Sequence, residues 1–120
     1  MTHRDLIMDN IFKVFDNNIG ISFQWKKNAT LTQVIFRDTG FNLSMDEMEL
    51  FMDQIVLSKT KQPCMGCKLG NDCRSMLLQT PFDKVSMAVS FNELNEIEEL
   101  LKGTLFQLEL NVYLQEVCKN

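Results

Sequence analysis

Two stretches of the chain superimpose without a gap at an offset of 46 residues: "FNLSMDEMELF" from Phe41 to Phe51 and "MAVSFNELNEI" from Met87 to Ile97. In each, an alternating apolar pair (Phe41 and Leu43; Met87 and Val89) leads into a serine, and a glutamate follows three positions later: Ser44 with Glu47, Ser90 with Glu93. That spacing is a capping box. The serine oxygen accepts an early helix N–H, and the glutamate reaches back to the N–H of the cap. The acidic residues Asp46, Glu47, Glu49, Glu93 and Glu96 suit the positive end of a helix dipole. Each unit therefore reads as a strand running directly into a helix, which favours an α+β fold over an all-helical one.

A further strand candidate precedes each unit. Thr30 to Arg37 alternates and closes on Asp38-Thr39-Gly40, a hairpin turn. Arg74 to Gln79 is followed by Pro81 and Asp83-Lys84, which break it before Val85. Ile19 to Trp25 alternates Ile19, Ile21, Phe23 and Trp25 against polar neighbours, and Asp16-Asn17-Asn18 turns into it from a strand at Ile11 to Phe15. Trp25 ends an apolar strand face and is expected in the core. The expectation is a single α+β domain over residues 1–120. Its sheet is mainly antiparallel, with two helices on one face, built from two tandem β-β-α units.

The first helix, Met45 to Leu57, places Met48, Phe51, Met52, Ile55 and Val56 on one face. The second, Phe91 to Val117, carries Leu94, Ile97, Leu101, Leu105, Leu108 and Val112 in one stripe. Leu100, Phe106, Leu110, Tyr113 and Leu114 widen that stripe beyond what one sheet face covers. At about 1.5 Å per residue such a helix spans nearly 40 Å, more than a domain this small needs. Either Gly103 kinks or splits it, or the surplus apolar surface between Leu100 and Leu114 takes a cover. That cover is a second copy of the chain, making a homodimer through the C-terminal helix, or the N-terminal segment.

Chemistry concentrates in "PCMGCKLGNDCR", residues 63 to 74, which holds three of the four cysteines. Cys64 and Cys67 have the spacing at which two thiolates on a tight turn reach one ion, and Cys73 follows after Gly70 and Asn71. A closed tetrahedral site needs a fourth ligand. Cys118 is the remaining cysteine, and His3 is the runner-up. Zinc is the expected ion and an iron–sulfur cluster the alternative. A thiol-redox pair and idle thiols complete the readings. Lys61, Lys68 and Arg74 favour the thiolate form.

Other chemistries find little support. The net charge is −4 and Lys26-Lys27 is the one adjacent basic pair, so no footprint for a nucleic-acid backbone exists. No stretch approaches ~18 consecutive apolar residues, so no membrane partner is expected, and no signal peptide is recognisable. The expected compartment is the cytoplasm, where thiols are reduced. The one histidine, His3, leaves no nucleophilic triad, and the five glycines form no phosphate loop. Trp25 and most of the eight methionines read as core.

The strand and capped helix of "RDTGFNLSMDEMELF" and the closing "AVSFNELNEIEELLKGTLFQL" resemble small single-domain bacterial proteins of unknown function from Bacteroidota. That resemblance implies a fold and a cytoplasmic location and brings no activity. Some members carry a cysteine pair in the early strand, where this chain reads "ISFQWKK". The functional expectation is a non-catalytic interaction or regulatory protein with an unknown protein partner, its cysteine loop holding a structural zinc.

Overall fold

The computed structural model describes residues 11–60 and 72–118. Six strands and two helices follow in the order β1 (Ile11–Asp16), β2 (Gly20–Trp25), β3 (Asn28–Phe36), β4 (Thr39–Leu43), α1 (Met45–Lys59), β5 (Met76–Gln79), β6 (Ser86–Val89) and α2 (Phe91–Val117). The first four strands form one antiparallel sheet in sequence order, and β5 with β6 forms a separate hairpin. The α+β class and the antiparallel pairing are therefore as expected. The two β-β-α units are present as β3-β4-α1 and β5-β6-α2, but they do not share a sheet, and β1 and β2 extend only the first. Gly103 does not split α2, which runs unbroken for 27 residues.

Both capping boxes form. Ser44 and Ser90 each accept from the N–H of the glutamate three residues on, and each glutamate accepts from the serine N–H in return. An N-cap of this kind contributes about 0.5–2 kcal/mol. Arg74 to Ser75 stays outside β5, contrary to the strand expected from Arg74, because the Arg74 side chain is engaged with α2.

The core lies between the large sheet and the helices. Along β3 the alternate residues Thr32, Val34 and Phe36 are buried, and Phe41 and Leu43 continue that face on β4. Against them pack Met48, Phe51 and Ile55 of α1 and Leu94, Ile97, Leu100, Leu101 and Leu108 of α2. Phe36, Phe41 and Phe51 form a cluster of rings with centroids 5.6–6.3 Å apart. Val56 and Val112, expected on the inner faces, are exposed. So is Trp25, which stands edge-on to Phe23 at the end of β2 and donates its indole N–H to Gln33.

Helix α2 is held against β1 and β2 at one close approach. A bulge in β1 between Lys13 and Phe15 sets Phe15 opposite Ser22. The ring of Phe15 lies directly over Gly103, and the buried hydroxyls of Ser22 and Thr104 meet at 2.6 Å. Thr104 donates onward to the Leu100 carbonyl, so the pair is satisfied without water.

This contact sets a test. An alanine in place of a helical glycine normally stabilises by up to about 1 kcal/mol. At Gly103 the new methyl would enter the Phe15 ring, which would have to shift to make room. Gly103→Ala should destabilise the protein by on the order of 1–2 kcal/mol in urea unfolding. A stabilised variant would mean that Phe15 is free to move aside.

Candidate functional site

The described part of the cysteine segment, Asp72 to Arg74, is fastened to the first turn of α2. Asp72 accepts from the Asn92 side chain at 2.6 Å, and Arg74 forks onto both Glu93 oxygens at 2.9 Å each. Cys73 sits between these two clamps and is disulfide-bonded. Its partner is not Cys118, which is free and exposed, so the partner sulfur lies outside the described residues. The expectation of reduced thiols does not hold for Cys73 in this structure. Cys64, Cys67 and the alternative ligand His3 also lie outside the described residues.

Cys118 is placed far from Cys73. It caps the C-terminal end of α2, donating its N–H to the Leu114 carbonyl, while Cys73 is pinned beside Asn92 and Glu93 at the other end. The 26 residues from Asn92 to Cys118 correspond to about 39 Å of helix. Sulfur ligands of one zinc each lie about 2.3 Å from the ion, so within one chain the structure does not bring these two cysteines to a common site. Among the described residues, no group of three or more His, Cys, Asp or Glu side chains is placed to hold a metal.

Sequence reading assigned Glu93 only a capping role, and the structure gives it a second one. Beyond the Ser90 N–H and Arg74, it faces the Arg37 guanidinium at 3.8 Å. Arg37 sits in the β3–β4 turn at φ 59°, a left-handed conformation that costs a non-glycine residue about 1–2 kcal/mol. Its guanidinium also donates to the Ala88 carbonyl on β6 at 2.7 Å. This carboxylate thus joins α2 to the large sheet through Arg37 and to the cysteine segment through Arg74, and Arg37 in turn reaches the hairpin. No local signal in the sequence links Arg37, Arg74 and Glu93, because their association depends on the tertiary fold.

A groove of about 660 Å³ opens between the last turns of α2 and the sheet. Its lining mixes Phe12, Val14 and Met45 with Gln24, Thr30 and Asn111. The volume falls within the range of ligand sites, but the wall carries no convergent set of charged groups.

The electrostatics of Glu93 are testable. Burial works to raise its carboxyl, but the hydrogen bonds from Arg74 and the Ser90 N–H and the charges of Arg37 and Arg74 outweigh burial and hold it below the ordinary glutamate value. A carboxyl depressed on folding stabilises the native state above its unfolded pKa, and that contribution is lost as pH falls through the folded value. Glu93→Gln keeps an acceptor for the capping box and removes the charge. The variant should be less stable than the parent at pH 7, and the gap should close on acidification below the ordinary glutamate range. A gap independent of pH in parallel denaturation curves would show that the ion pairs contribute nothing.

No family model matches this chain, and no curated protein or solved structure matches it.

Proposed function

We propose that this chain is a non-catalytic interaction module that associates with a second copy of itself through the distal part of α2. The observation that supports this reading is the exposure of Phe106, Tyr113, Leu114 and Val117 on the last turns of α2, which stand off from the sheet across the groove. Contiguous apolar surface of this kind on a water-exposed helix favours association. The structure narrows the surface expected from sequence: Leu100, Leu101 and Leu108 belong to the core and face inward. Among the described residues, no helix is long and apolar enough to cross a membrane.

A second reading concerns the cysteine loop and is favoured by the disulfide at Cys73. Within this proposal a cellular dithiol reductant opens the Cys73 disulfide by thiol–disulfide exchange and is itself oxidised to a disulfide, which leaves the loop cysteines as thiols. In a reducing cytoplasm, Cys64, Cys67 and Cys73 supply three thiolates to a zinc ion. A structural ion of this kind contributes its binding energy to folding, and affinity requires deprotonated thiols. Cys118 stays outside such a site, and the fourth position falls to another donor. An iron–sulfur cluster would use the same three sulfurs and would colour the protein.

Two measurements separate these readings. Light scattering at rising protein concentration should show the mass doubling, and Tyr113→Glu should hold the protein at monomer mass with unchanged circular dichroism. A wild-type monomer at every concentration ends the self-association reading. Thiol titration without reductant should find two reactive thiols per chain, since one disulfide consumes two of the four cysteines. After reduction and addition of zinc, with one ion per chain by elemental analysis, Cys118 alone should react. Four reactive thiols in the presence of zinc would remove the metal reading.

A further inference from the structure

Helix α2 carries two apolar seams on nearly opposite sides, and they exchange polarity midway. Leu94, Ile97, Leu101, Thr104 and Leu108 recur at steps of three and four residues, and all are buried against the sheet and α1. The next two positions of that seam are Asn111 and Gln115, both polar and exposed. The opposite seam reads Asn92, Glu96, Glu99 and Gly103, then Phe106, Leu110, Tyr113 and Val117. At about 100° per residue the two seams lie roughly 170° apart. So the inward seam turns polar at Asn111 and Gln115, with Val112 beside it in the groove against the sheet, while the outward seam turns apolar from Phe106.

We infer that two copies of the chain pair in parallel and in register through Phe106, Leu110, Tyr113 and Val117. This deepens the self-association reading and rests on it. The four residues follow the four-three-four spacing of a coiled-coil seam, with Leu110 and Val117 at a positions and Phe106 and Tyr113 at d positions. The seam begins at Phe106 because the preceding a position, Gly103, is already covered by Phe15.

Area allows a weak pair with a second copy. Phe106 is 62% exposed and Tyr113 61%. With aromatic side chains able to bury ~150–250 Å² each, these two and Leu110, Leu114 and Val117 offer on the order of 400–500 Å² per chain. A symmetric pair doubles this to about 800–1,000 Å², short of the ~1,200–2,000 Å² of a standard stable interface and in the range of a weak, concentration-dependent one. Charge selects the orientation. Glu109 and Glu116 lie along one flank of the seam, and Gln107 and Leu114 along the other. In a parallel pair each acidic flank faces its partner's neutral flank, and Lys102 faces Gln107. In an antiparallel pair Glu109 would meet Glu116 of the other copy, and like charges in contact destabilise.

The test uses the full chain carrying Cys118→Ser with either Leu110→Cys or Tyr113→Cys, oxidised with diamide and mapped by peptide mass spectrometry. Helix axes about 8–10 Å apart bring in-register seam positions within the ~4.4–6.8 Å Cα separation of a disulfide. The expected result is a 110–110 link between chains as the main new product, abolished by Tyr113→Glu. Mixing the two variants and finding chiefly 110–113 links would overturn the parallel register and leave self-association standing. A wild-type dimer with neither link would overturn the seam. Monomeric wild type with no link would end both this inference and the reading beneath it.

Discussion

The position of α2 is set by one carboxylate. Glu93 closes the capping box at Ser90, takes the fork of Arg74 and faces Arg37, so the helix start is joined to the cysteine segment, the hairpin and the large sheet at once. Two further ties follow along the rod: the Asn17 side chain donates to the Glu96 carbonyl, and Lys59 of α1 pairs with Glu98 at 2.7 Å. Roll about the helix axis is then fixed by Thr104 on Ser22 and by Gly103 under Phe15. With start and roll determined, the sequence of α2 decides which residues end beyond the sheet and which way they face.

Much of this frame is local and therefore legible in the chain. A capping box is complete within four residues, and a strand's alternation within six. Those features located β1 to β4, both helices and the serine caps from the sequence. The limits of such reading appear where a residue's state depends on distant partners. Arg74 reads as the first residue of a strand until Glu93, 19 positions away, captures it. Trp25 fits a buried face by alternation, yet it stands at the last position of β2, where little of the sheet remains to cover it. The partition into two sheets is equally invisible, because a repeated hairpin carries no record of which neighbour it joins.

The cysteine segment divides in the same way. Spacing alone brings three sulfurs within one short stretch, but it does not reveal oxidation state, and Cys73 is found in a disulfide. The separation of Cys118 follows from two facts of different range. The 27-residue length of α2 is readable from its periodicity. That Asp72 and Arg74 grip its first turn, rather than its last, is a tertiary fact. Only the two together put about 39 Å between the thiols.

Because α2 is continuous, the two features proposed to carry function occupy opposite ends of one rod. From Glu93 to Tyr113 is 20 residues, or about 30 Å of helix, well beyond a Debye length of about 8 Å at physiological ionic strength. Charge changes at the cysteine end therefore do not reach the seam directly. They act only through the packing that fixes the helix, and that packing is densest between Leu94 and Leu108, where the core is. Loss of the Glu93 contacts loosens the start of the rod but leaves Thr104 on Ser22 and Phe15 over Gly103 to hold its roll. In a parallel pair both cysteine segments lie toward one pole and both Cys118 thiols toward the other, so oxidation at one pole and association along the seam are physically separable events.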